Sequence, residues 1–278
     1  MSRRNARRTR RRLWLALGFV VVLVFSVFPV FVMLSTAVDP SANSGSRNVL
    51  PTGFTLDHFR FVLDEGNFLT YLRNSVLVAL ATVLASSVLA LFAAVAVARF
   101  RFRMRIPVLM LILTIQMVPM EALVIPLFLQ AKTLGLLDQL LGLVVVYVAF
   151  SLPFAIWTLR GFVAAVPVEL EEAAALDGAS WWQMFWRILF PLVAPGLVAT
   201  SIFSFIVAWN EFIFALTFMS DSDLYTVAVG LRQFFTRNGA NWGAVMAGSA
   251  IITVPVMIFF VAVQRKLTSG LIAGATKG

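Results

Sequence analysis

The chain has 278 residues, 60% hydrophobic and only 13% charged, with a formal net charge of +9. Globular domains carry about 25% charged residues, so this composition and a mean hydropathy of +0.92 exclude an ordinary soluble globule. With no cysteine and one histidine, the chain also lacks the means for a disulfide framework or a thiolate metal site.

In chain order, a cytoplasmic basic N-terminus, residues 1–12, precedes an apolar run at about 13–38. That run far exceeds the ~7–15 apolar residues of a secretory signal, so it reads as a retained span. Further runs follow at about 74–98, 106–131, 139–160, 188–217 and 238–264. Each reaches the ~20 residues needed to cross a bilayer. Residues 13–278 therefore read as one transmembrane domain of six helices, an all-α integral membrane fold. Pro29, Pro119, Pro126, Pro153, Pro195 and Pro255 fall inside or beside the spans. They read first as packing features, and secondarily as kinks lining a pathway.

Six crossings put both termini on one side. If that side is the cytoplasm, 16 of the 22 Lys and Arg lie inside, including Arg3–Arg12, Arg99–Arg105, Arg160, Arg187, Arg265, Lys266 and Lys277. This satisfies the positive-inside rule. The arginines sit beside apolar spans, which suits topology signals and anionic-lipid contacts rather than nucleic acid.

The segment between spans four and five, 166–187, is locally informative. Pro167 suits a first helical turn. Glu169, Glu171 and Glu172 follow where the helix dipole favours negative charge. Ala173, Ala174 and Ala175 favour helix with little bulk. Gly178 can take the left-handed conformation that ends a helix. Ser180 with Gln183 reads as a capping box opening a second helix. The expectation is two short helices joined at a glycine. Trp181, Trp182 and Trp186 lie in the second, as in a helix at headgroup level.

Glu172-Ala173-Ala174, Asp177-Gly178-Ala179, Ile188 and Pro191 resemble the EAA motif of ABC importer permeases. The wider resemblance is to the carbohydrate-uptake branch, in the form of the smaller maltose-type permease subunit. Thr55-Leu56-Asp57-His58-Phe59, Asn74-Ser75, Trp209-Asn210-Glu211-Phe212 and the tail 267–278 agree with it. Phe190 departs from the leucine usual before the proline. The resemblance implies a type I ABC importer permease fold with a cytoplasmic coupling helix, whose ATPase-coupling residues are Glu172, Ala173, Ala174, Asp177, Gly178 and Ala179. It implies no cofactor on this chain, since ATP and Mg would bind a partner ATPase. Implied partners are a second permease subunit (as a heterodimer), two ATP-binding subunits and an extracytoplasmic sugar-binding protein facing loop 220–242. The location would be a bacterial or archaeal inner membrane.

No nucleophile–base pair, metal cluster or phosphate loop is present, so no catalytic or metal residue is assigned. Glu121 and Glu211 are acids at membrane depth, where charge is costly and faces a cavity or partner. With Gln116, Trp209 and Asn210 they form a candidate substrate pathway, since aromatic faces and amides or carboxylates suit a sugar. A structural role for Asn210 and Glu211, bonding backbone or a neighbouring helix near a break in span five, stands beside it. Other readings are a proton-coupled secondary transporter using Glu121 or Glu211, a non-transporting assembly factor, or an ABC permease for a polyol or glycerol-phosphate-type substrate.

Overall fold

The computed structural model describes residues 3–44, 49–64, 66–236 and 239–275. The side chains of Arg3, Arg4, Arg7, Arg8, Arg10, Arg11, Arg47, Arg237, Arg265, Lys266 and Lys277, and of the tail 267–278, lie outside the described residues. Among the described residues, five helices are long and apolar enough to span a membrane: Trp14–Val38, Phe68–Arg99, Leu140–Ala165, Trp181–Asn210 and Trp242–Gln264. A sixth crossing requires a bent pair, Arg105–Gln116 with Met120–Thr133, which meet at 95°.

The third apolar stretch, read as one span over 106–131, is therefore broken. Helix α4 (Arg105–Gln116) ends at Met117, and a 3₁₀ turn over Met120–Leu123 leads into α5 (Val124–Thr133). Pro119 supplies the reason: it has no N–H to continue the helical ladder, and its extended backbone turns the chain. Span five also differs from 188–217. Its helical run starts at Trp181 and stops at Asn210, and Ile213–Phe218 forms a separate short helix, α10.

The chain divides into two compact units, Met1–Phe68 with Leu231–Thr253, and Leu69–Gly230 with Val254–Gly278. In the first unit, α1 (Arg3–Val38) exposes most of its apolar surface between Trp14 and Leu34. Asp39 at its end accepts bonds from the Thr52 hydroxyl at 2.6 Å and from the Ser41 and Thr52 amides. The Thr52 hydroxyl, first among these contacts, holds the Asp39 carboxyl below the usual carboxylate range. The His58 ring, on α2 (Asp57–Asp64), lies 3.0 Å from the Asp39 carbonyl oxygen. A Cβ at Gly243 would stand 2.3 Å from that ring, so only glycine fits there. Phe61 and Phe68 pack around Phe234.

The second unit is built on α3 (Phe68–Arg99), α6 (Leu140–Ala165) and α9 (Phe190–Asn210). Small polar side chains allow α3 and α9 to approach closely: Ser86 donates to Ser204 at 3.0 Å, and Ser87 meets Ser201 at 3.2 Å. Ala90, Ala94, Ala155, Leu159, Val163 and Val193 belong to a buried cluster that continues into the segment after α6. That continuity positions the candidate site.

Candidate functional site

Beyond α6 the chain turns at Val166-Pro167 into α7 (Val168–Leu176). Pro167 sits at the helix entrance, and Glu169 and Glu171 fall in the first turn. The hairpin is closed by Gly178, whose φ of +80° is the left-handed conformation. The Gly178 amide donates to the Ala175 carbonyl and the Ala179 amide to the Ala174 carbonyl, which ends the helix. Both bonds of the capping box then form: the Gln183 amide donates to Ser180 Oγ at 3.3 Å, and the Ser180 amide donates to Gln183 Oε1 at 2.8 Å.

The second helix of the hairpin is not separate. Trp181–Met184, α8, passes through a π-turn at Phe185–Leu189 into α9, so the hairpin is rigidly continuous with the fifth span. Phe185 is fully buried, and its ring stacks on Phe92 of α3 at 5.6 Å. Trp181, Trp182 and Trp186 surround it with their outer faces exposed.

One ion pair locks α7 to α3. Arg99 Nε donates to Glu171 Oε1 at 2.7 Å, and Arg99 Nη2 donates to the Val166 carbonyl at 2.8 Å. Both side chains are largely buried, so the pair is better shielded than an exposed one. Ala174 packs into the buried cluster with residues of α3, α6 and α9. The opposite face of α7 is open: Glu172, Ala173 and Asp177 are exposed, and Leu176 is 89% exposed. Next to the turn is a hollow of about 290 Å³ lined by Asp177, Gly178, Ala179, Gln183, Arg187 and their neighbours. Five of the six residues assigned to coupling thus cluster around an exposed helix end and its hollow, while Ala174 is buried against the chain's own spans and half-buried Ala179 packs on the same cluster. Arg99 was legible only as a topology charge; no local signal joins it to Glu171, 72 residues away.

The candidate pathway residues separate into two places. Gln116 lines a cleft of about 240 Å³ at the α4 break, with Val118, Met120, Phe150, Phe154 and Phe203 among its walls. The Phe154 and Phe203 ring centroids are 4.0 Å apart. Glu121 is exposed in the 3₁₀ turn and does not line the cleft. Trp209, Asn210 and Glu211 are elsewhere. Trp209 is buried and stacks on Phe205. Asn210 is exposed and donates to the Ile206 carbonyl. Glu211 accepts from the Tyr147 hydroxyl at 2.6 Å and from the Phe214 and Ala215 amides at 2.9 and 3.1 Å. It caps α10 at the break in the fifth span.

Several apolar helices of spanning length, one pair bent, and a helical hairpin seated on them make a multi-pass membrane protein. The family described as "Binding-protein-dependent transport system inner membrane component" matches residues 86–272, and the chain belongs to that family. It is a multi-pass inner-membrane transport subunit rather than an enzyme. Similar curated proteins include the diacetylchitobiose uptake system permease protein DasC of Streptomyces coelicolor, 42% identical over 96% of this chain and 98% of that one. The trehalose transport system permease protein SugB of Mycobacterium tuberculosis is 34% identical, covering 97% of this chain and 99% of the relative. The trehalose/maltose transport system permease protein MalG of Thermococcus litoralis is 35% identical, covering 96% and 98%. In fold, the chain is similar to one from a bacterial ABC transporter involved in import of the acidic polysaccharide alginate. The TM-score is 0.80 at 22% identity, covering 95% of this chain and 98% of that one. The fold is that of type I ABC importer permeases.

Proposed function

We propose that this chain is one permease subunit of an ATP-driven importer of mono-, di- or oligosaccharides. It pairs with a second, similar permease, two ATP-binding subunits and an extracytoplasmic sugar-binding protein. ATP and Mg bind the ATPase partners, and this chain carries no cofactor. Residues 1–12 and both termini are cytoplasmic, and residues 13–278 act as one permease domain. The names of DasC, SugB and MalG, all sugar permeases, support the substrate class.

The observation that carries the reading is the hairpin. Its open face, with Glu172, Ala173, Leu176 and Asp177 beside the Gly178 hollow, offers an ATPase a charged and apolar grip. Its closed face transmits the movement. Ala174 is seated among α3, α6 and α9, Arg99 ties Glu171 to α3, and α8 runs on into α9. Displacement of α7 by ATP-driven closure therefore rocks three spans at once and alternates access to the pathway. Gln116 and the aromatic walls of its cleft, with Glu121, contact sugar along that pathway; Trp209, Asn210 and Glu211 hold its outer break in shape.

Replacing Gly178 with valine tests this. A β-branched residue at φ +80° is strained by about 1–2 kcal/mol and misorients α7. In proteoliposomes of the complete transporter, substrate-stimulated ATPase activity falls severalfold while the subunits still co-purify. Wild-type stimulation in that variant refutes the coupling role.

A further inference from the structure

Between α3 and α4 the chain reads Arg99-Phe100-Arg101-Phe102-Arg103-Met104-Arg105, cation and apolar residue in strict alternation. Arg99 is consumed by Glu171. The rest is presented outward: Phe100, Phe102 and Met104 are 53%, 41% and 58% exposed, and Arg101 and Arg103 are exposed beside them. Among the described residues, no carboxylate comes within ion-pair distance of Arg101, Arg103 or Arg105. A purely solvated loop gains nothing from two aromatic rings and a methionine exposed at alternate positions. Guanidinium groups beside apolar side chains match a surface that is anionic outside and hydrocarbon within. The loop leaves the end of a 32-residue span, which puts it at the height where such a surface lies.

We propose that residues 100–105 form a seat for anionic phospholipid headgroups, the arginines pairing with phosphates while Phe100, Phe102 and Met104 enter the acyl boundary. Because Arg99 opens this tract and grips Glu171, lipid held there also steadies the α3 end that carries α7. The proposal rests on the reading that this end of the second unit lies at the membrane surface. It commits to lipid over an acidic patch of an ATPase.

This chain has no cysteine, so Met104→Cys is its one labelling position, and the permease is labelled and purified before assembly with its partners. A fluorophore there, in the complete transporter in detergent, is titrated with brominated phosphatidylglycerol or brominated phosphatidylcholine. Each cation near an anionic surface contributes an effect of about fivefold in association, so the anionic phosphatidylglycerol quenches at a several-fold lower concentration than the zwitterionic phosphatidylcholine. The preference falls toward one in the R101Q/R103Q/R105Q variant. Those changes also alter topology signals, so the M104C protein with all arginines intact is measured at high salt too. There, a Debye length of about 3 Å abolishes the preference. Equal quenching by the two lipids, or a preference indifferent to salt, overturns the proposal. So does quenching seen only in the isolated permease, which assigns the surface to the ATPase. A membrane-impermeant thiol reagent on the same cysteine in vesicles reports its side separately, so failure of the orientation is distinguishable from failure of lipid selection.

Discussion

The two ends of the larger unit are fastened in different ways. At the end where α3 begins, long-range polar bonds stitch the chain repeatedly. Asn74 donates to the carbonyls of Asp223 and Tyr225, Ser75 accepts from the Val227 amide, and Asp138 accepts from the Ser220 and Asp221 amides. Glu211 adds three more bonds there. At the end where α3 stops, α7 is held by one arginine and by the seat of Ala174. Many bonds that must break together make a stiff end; a single side-chain clamp on a small-residue seat makes a movable one. A permease needs both, a fixed frame and a handle, and the difference in bonding distinguishes them.

The largest expected effect comes from attacking the stiff end. Glu211→Ala leaves the Tyr147 hydroxyl and two backbone amides without their acceptor. Each orphaned donor costs about 1–3 kcal/mol, so the loss is ~3 kcal/mol or more. The purified subunit unfolds at a markedly lower temperature in detergent. Glu211→Gln, which keeps an acceptor oxygen, recovers part of it. Unchanged unfolding with an altered transport KM would break the comparison and move Glu211 into direct sugar contact.

Arg99→Ala attacks the handle and is the next largest. A hydrogen bond to a charged group is worth about 1.5–3 kcal/mol, and the variant also strands Glu171 in a largely buried place. The expected loss of ~2 kcal/mol is spent on α7 rather than on the whole unit. Substrate-stimulated ATPase therefore drops more steeply than thermal stability, the reverse of Glu211→Ala. Arg99→Lys does not rescue it, since one ammonium cannot reproduce the guanidinium fork that reaches both Glu171 and Val166.

How much of this was legible in the sequence follows from the range of each interaction. Spans are one-dimensional: run length and charge locate them, but the stretch over 106–131 is bent and the one over 188–217 breaks after Asn210. The hairpin is nearly so, because Pro167, Gly178, Ser180 and Gln183 act within a few residues of themselves. Pro119 was visible, but the 95° bend was not, because a proline in a membrane helix is compatible with a mild kink as well as a break. The run of α8 into α9 through a π-turn has no composition signal. Glu171 and Glu172 are neighbours of the same type, and only the fold turns one toward Arg99 and leaves the other in the open. Likewise, Glu211 was recognisable as an acid at membrane depth, but its partner Tyr147 is 64 residues away on another helix.

The smallest effect sharpens where the handle begins. Ser180 carries the cap that starts α8 immediately after Gly178. Ser180→Ala removes the acceptor for the Gln183 amide and costs about 1 kcal/mol. It leaves the reciprocal bond from the Ser180 amide to Gln183 Oε1 in place, because that bond uses only backbone at position 180. If the cap sets the angle at which α7 meets α8, stimulated ATPase falls by a modest factor, and Gln183→Ala does the same by removing the other half of the box. If instead the burial of Met184 and Phe185 sets that angle, both variants couple normally and only Phe185→Ala uncouples. The hinge of the handle then lies in the core, at the Phe92–Phe185 stack, rather than in the turn.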